Sequence, residues 1–183
     1  MSSAPQNRVL RFSSIVIIAA APLLAALPRP AAAAPADWFA GPRPRLDFSA
    51  GTMQLFDDDK EFAWGLAYRP AWRFCHIAPN IEFGAGHNEE IYAALGIAAE
   101  IQLPARFVLV PTFSVGYYNA RKGLDLGLDM QFATQVSLEY EFGAGHRLGL
   151  TLGHLSNGSF SDYNPGTEAL MLTYSLPLDV FWK

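Results

Sequence analysis

A histidine, a serine and a glutamate stand close together toward the C-terminal end of this chain, at His154, Ser156 and Glu168. These are the side-chain types of a hydrolase triad. A serine nucleophile needs a base within hydrogen-bond reach, and the base needs an acceptor that orients it. One residue separates His154 from Ser156, so on a β-strand they share a face with Cβ atoms roughly 6–7 Å apart. Glu168 begins the next alternating run, and across a hairpin its carboxylate can approach the second imidazole nitrogen. A tetrahedral oxyanion needs fixed N–H donors beside the serine. Asn157, Gly158 and Asn164 are close enough in sequence to supply them, from side chain or backbone.

Two runs must position these groups, and both alternate strictly. His146, Leu148, Leu150, Leu152, His154 and Ser156 share one parity, with Arg147, Gly149, Thr151 and Gly153 on the other. Past a polar loop, Glu168, Leu170, Leu172, Tyr174 and Leu176 share a parity. Residues of like parity point to one face of a strand, so the three candidate catalytic side chains lie on the greasy face of a hairpin. That face is the core of a soluble protein and the lipid-facing wall of an outer-membrane barrel.

The same alternation recurs along the chain from about Arg45. Strands are predicted over Arg45–Phe56, Glu61–Phe74, Ile77–Gly84, Glu90–Gln102, Arg106–Tyr118, Asp125–Phe142, the run ending at Ser156, and Thr167–Phe181. The run Asp125–Phe142 is the most diagnostic. Leu126, Leu128, Met130, Phe132, Val136, Leu138, Tyr140 and Phe142 form an apolar side, with Asp125, Asp129, Gln131, Gln135, Ser137, Glu139 and Glu141 opposite. Eight strands is the smallest common outer-membrane barrel, and most of the runs reach the length a tilted membrane strand needs. In a bilayer every backbone polar group must be paired, which demands closure. The fold class is therefore all-β, an eight-stranded antiparallel transmembrane β-barrel. Trp64, Trp72, Tyr117, Tyr140, Tyr174 and Trp182 fall toward strand ends, as interface girdles require. A soluble lipocalin-type barrel also alternates. Its solvent face should be rich in charge, whereas the second face here is rich in Gly, Ala, Ser and Thr, which suits a narrow packed lumen. Asp125, Asp129, Glu139 and Glu141, with Arg69, Arg73, Arg106 and Arg147, are expected to form a charge network in that lumen.

Residues 1–36 read as a secretory signal peptide, with Arg8 and Arg11 before an apolar run and small-residue cleavage sites ending at Ala33 or Ala36. Residues 37–183 then form a single barrel domain. No later stretch is long and apolar enough for a membrane helix. The net charge of −4 and the lack of any basic run leave no nucleic-acid footprint. Cys75 is the only cysteine, so no intramolecular disulfide forms. Asp57-Asp58-Asp59 lacks the spacing of a calcium loop, and His76, His87 and His146 make no metal-ligand spacing. Neither cofactor nor metal is expected.

His154-x-Ser156-Asn157, then Asn164-Pro165-Gly166-x-Glu168 after a six-residue loop, resembles the lipid A 3-O-deacylase (PagL) family over Gly153 to Glu168. The resemblance implies a barrel in the outer membrane of a Gram-negative bacterium. It implies lipopolysaccharide as substrate and release of a 3-hydroxy fatty acid from lipid A. It makes Ser156 the nucleophile, His154 the base, Glu168 the orienting carboxylate, and Asn164 with the Gly158 backbone the oxyanion-hole candidates. A homodimer is left open. The rival reading is a non-catalytic small barrel, an adhesion or stability protein, in which His154 and Ser156 are only interfacial polar residues. Glu168 weighs against that reading, because an ionisable side chain on a lipid-facing parity is unfavourable without a partner or an interfacial depth.

Overall fold

The computed structural model describes Phe39, Gly41 and residues 43–181; the expected signal peptide and Trp182 lie outside them. The strands are β1 (Arg45–Met53), β2 (Glu61–Arg69), β3 (Ile77–Gly86), β4 (Ile91–Ala99), β5 (Ile101–Gln102), β6 (Phe107–Asn119), β7 (Met130–Phe142), β8 (His146–Ser156) and β9 (Thr167–Pro177). β4 and β5 are one stave. Ala98 pairs with Thr112 and Ile101 with Leu109, so the register runs unbroken past Glu100. Each neighbouring pair is antiparallel, and β1 closes on β9 through nine consecutive partners from Arg45–Pro177 to Met53–Ala169. The result is a closed eight-stranded barrel with no free sheet edge. Among the described residues no helix is long and apolar enough to cross a membrane; the strands are the spanning elements.

The alternation decides which way each side chain points. Leu95 is 65% exposed and Trp64 51%, and Phe83, Phe113, Leu150 and Leu172 are exposed like them. A wall of this kind is far larger than the apolar patches soluble monomers tolerate, and it matches the lipid-facing band of a membrane barrel. Inward, the packed residues are small or polar: Ala98, Val108 and Val110 form the apolar cluster, with Ser114, Thr151, Thr173 and Ser175 buried around the lumen.

The charge network occupies the end of the lumen where β1 begins and β9 ends. Glu100 is its centre, accepting from Arg147 Nη1 at 2.8 Å and Arg73 Nη2 at 2.9 Å, with Arg45 and Arg69 each at 3.6 Å. Arg69 also meets Asp47 at 2.7 Å, and Arg147 meets Glu141 at 2.9 Å. Glu139, Glu141, Arg69, Arg73 and Arg147 are thus where the sequence reading expects them. Asp125, Asp129 and Arg106 are exposed and take no part, whereas Arg45, Asp47 and Glu100 do.

Four strands are shorter than their patterns predict: β1, β2 and β9 stop at Met53, Arg69 and Pro177, and β7 starts late. β7 begins at Met130, and residues 120–129 form a loop. Local turn chemistry outcompetes the ladder here. Asp125 Oδ1 accepts from the Gly127 N–H at 2.8 Å, Gly127 takes φ +80°, and the Tyr118 hydroxyl donates to the Leu124 carbonyl at 3.0 Å. Leu126 is consequently buried at 1% exposure under this loop and does not face lipid. Gln135 does face the lumen, donating to Glu82 at 2.9 Å.

Candidate active site

β8 and β9 carry the candidate residues, and their register brings His154 directly opposite Glu168. The imidazole Nδ1 lies 3.2 Å from Glu168 Oε1, and the two side chains are 32% and 24% exposed. Asp162, the nearest alternative carboxylate, is exposed in the loop. With Nδ1 bonded to the carboxylate as a donor, Nε2 is left as the acceptor, which is the tautomer a general base requires. Ser156 is the last residue of β8, two positions along the same face, and its lateral partner on β7 is Phe132. Among the described residues the imidazole's hydrogen bond is to Glu168, and none joins it to the Ser156 hydroxyl. Catalytic hydrogen bonds are often long before substrate binds and tighten in the complex.

The loop 157–166 is shaped by one buried amide. Asn157 is fully buried, and its Nδ2 donates both to the Leu126 carbonyl at 2.9 Å and to the Tyr163 carbonyl at 2.8 Å. Its Oδ1 accepts from the Ser159 N–H at 3.0 Å, and its own N–H donates to Asn164 Oδ1 at 3.1 Å. Every donor of Asn157 is thus occupied. It ties two loops together, and among the oxyanion candidates it is the one with no N–H left unbonded. Asn164 has the opposite character. Its Oδ1 is held by Asn157, which fixes the amide plane and leaves Nδ2 without a partner among the described residues. Gly158 is exposed at φ +64°, and its N–H likewise has no partner there.

A profile of the lipid A 3-O-deacylase (PagL) family matches residues 33–177. The chain belongs to that family. The crystal structure of the outer membrane enzyme PagL superposes with a TM-score of 0.59 at 15% identity, over 73% of this chain and 99% of that one. A de novo designed transmembrane β-barrel gives a TM-score of 0.57 at 7% identity, over 77% of this chain and 99% of that one. At such identities both likenesses speak to the fold alone. Among curated proteins compared by sequence, none matches.

Within this member of the PagL family, three features of the site escape the linear pattern. Gly166, at φ +65°, brings its backbone against the imidazole; a Cβ built there would lie 3.0 Å from His154 Cε1. The motif Asn-Pro-Gly signals a turn but not that its glycine braces the histidine. Thr134 is the β7 partner of His154, so the histidine has a carboxylate on one side and a short hydroxylated side chain on the other. Finally, Phe132 stacks with Phe113 at 6.2 Å and with Phe160 at 5.7 Å between ring centroids, building an aromatic wall beside Ser156. Phe160 comes from the loop, whose sequence reads as undistinguished.

Proposed function

We propose that this chain is a serine esterase that removes the 3-O-linked acyl chain from lipid A with a Ser156–His154–Glu168 triad. The observation that carries this reading is the hydrogen-bonded His154–Glu168 pair on the outer, lipid-facing wall, one strand step from a serine on the same face. A site on the outer wall suits a substrate that is itself a membrane lipid. Ser156 Oγ attacks the ester carbonyl while His154 Nε2 takes its proton. Glu168 holds the ring and stabilises the imidazolium. The oxyanion accepts from Asn164 Nδ2 and the Gly158 N–H. Collapse expels the sugar oxygen, which receives the proton from His154. Water, activated in turn by His154, cleaves the acyl-enzyme and frees the 3-hydroxy fatty acid. All these groups come from one chain, so the chemistry does not depend on a dimer, and no cofactor enters.

The membrane orientation follows from the loops. Residues 120–129 and 157–166, the two longest connections, leave the same end of the barrel as the site, whereas the three-residue turn 143–145 lies at the other. Longer loops mark the extracellular side. The site then stands at the outer leaflet, reached after a leader over residues 1–36 has directed export. Incubating the purified barrel with lipopolysaccharide and weighing the lipid A tests the reading. Loss of one 3-hydroxyacyl mass by wild type and not by Ser156→Ala is expected. An unchanged lipid A with wild type would favour the non-catalytic barrel.

A further inference from the structure

At the same end of the barrel, a second cluster is left without a role by this chemistry. Glu90 precedes β4 and is 2% exposed, yet neither of its carboxylate oxygens has a hydrogen-bond partner among the described residues. The Glu61 carboxyl lies alongside it. Glu61 itself accepts from Asn88 Nδ2 at 2.6 Å. Two glycines press on Glu90: at both Gly86 and Gly123 a Cβ would collide with its carboxylate, so the backbone closes over it from two sides. The nearby cation, Lys122, is turned to Glu89. A buried carboxylate with empty lone pairs, beside a second carboxylate and inside a cradle of backbone, lacks a positive partner.

We propose that Glu61 and Glu90 hold a hard divalent cation, calcium or magnesium, which clamps loop 120–129 to the barrel rim. Oxygen-only donors select such ions, and a two-carboxylate site leaves the remaining positions to water. The loop is the link to the active site. Gly123 lies on the Glu90 carboxylate, the next residue Leu124 accepts from the Tyr118 hydroxyl at 3.0 Å, and Leu126 accepts from Asn157, the neighbour of Ser156, at 2.9 Å. An ion at Glu61–Glu90 therefore fixes one end of a segment whose other end anchors the nucleophile's neighbour. The binding does not rest on the esterase reading.

The test uses the full barrel refolded in zwitterionic detergent free of lipopolysaccharide, with calcium and magnesium titrated separately by calorimetry. One ion per barrel is expected, with affinity at least tenfold weaker in Glu61→Gln and in Glu90→Gln. Binding should be unchanged in Ser156→Ala and in the triple change of Asp57, Asp58 and Asp59 to Asn, the exposed acidic run. The clamp is read by trypsin, since Arg121 and Lys122 are exposed in the loop. The ion should slow cleavage there severalfold in wild type and not in Glu61→Gln, whose half-exposed position makes it the safer variant to fold. Failure of both ions to bind wild type overturns the proposal, as does binding that survives both glutamine variants or vanishes with Asp57–Asp59. Binding without protection of Arg121–Lys122 overturns the clamp.

Discussion

The two ends of this barrel handle charge in opposite ways. Where β1 begins and β9 ends, Glu100 sits at 1% side-chain exposure among four arginines, and Arg45, Arg69 and Arg147 each meet a second carboxylate. At the other end and on the outer wall, His154 and Glu168 have one hydrogen bond between them and remain about a quarter to a third exposed. The first arrangement is over-determined and removes charge from reach. The second leaves lone pairs and a ring nitrogen uncommitted, as a site that must exchange protons and admit a substrate requires. On the proposed reading, stability and chemistry are thus placed at different ends and on different faces of one sheet.

Substitutions should separate the ends by readout. The largest effect on activity is expected at Ser156. Ser156→Ala and His154→Ala should each lower the lipid A deacylation rate by at least about 10³-fold, with the folded barrel still migrating as a heat-modifiable band. Glu168→Gln keeps the volume but loses the charge that stabilises the imidazolium, and a loss of about 10²–10⁴-fold is expected. Adding Glu168→Gln to Ser156→Ala should cost little more, because the groups act as a unit. At the other end, Glu100→Gln strands buried guanidinium groups and should cost about 3–5 kcal/mol of stability in urea unfolding, with turnover of the surviving folded fraction close to wild type. Were Glu100→Gln to abolish turnover in fully folded protein, the separation of the two ends would collapse.

Much of this division is legible in the sequence, and the reason is periodicity. Alternation over β6, β8 and β9 assigns Phe113, Leu150 and Leu172 to the wall, because lipid on one face and a packed lumen on the other allow no slip of register. The motif carries His154, Ser156 and Glu168 because all three lie on regular strands whose spacing is fixed. Residues off the strands are not legible in that way. Leu126 continues the apolar parity of β7 yet belongs to a loop, since the Asp125–Gly127 turn and the Asn157 side chain capture the backbone first. Glu100 was hidden among alternating small residues, and its importance comes from arginines on β1, β2 and β8 and from Arg73 beyond β2, which only closure brings together. Asn157 has the composition of an oxyanion donor, and only the three-dimensional count of its hydrogen bonds shows that nothing is left to donate.

That count sharpens the comparison between two asparagines of one loop. Asn164→Asp removes the free Nδ2 but keeps the oxygen that accepts from the Asn157 N–H, and should lower turnover by about 10²–10³-fold, the usual effect of deleting one oxyanion donor, while leaving the unfolding midpoint nearly unchanged. Asn157→Ala should do the reverse in kind. It leaves the Leu126 and Tyr163 carbonyls unpaired, and a loss of about 1–3 kcal/mol is expected, visible as faster proteolysis of loops 120–129 and 157–166. A turnover loss in Asn157→Ala without any change in loop protection would restore it as an oxyanion donor.

The smallest expected effect is the most specific, because two glycines at opposite ends share a backbone and differ in surroundings. Gly166 has φ +65° and Gly143 has φ +51°. Alanine at either position holds a side chain in the left-handed region, at about 1–2 kcal/mol. Around Gly143 nothing lies within 4 Å of an added Cβ, whereas at Gly166 the Cβ would meet His154 Cε1 at 3.0 Å and Nε2 at 3.6 Å. The imidazole can yield by a few tenths of an ångström, but its Nε2 must then move relative to Ser156. A full ångström of misplacement costs about 10²-fold in rate, so Gly166→Ala should lower turnover by about tenfold. Gly143→Ala should match it in unfolding and leave turnover alone. If both variants lost activity equally, the defect would come from the barrel as a whole, and Gly166 would have no special part in holding the histidine.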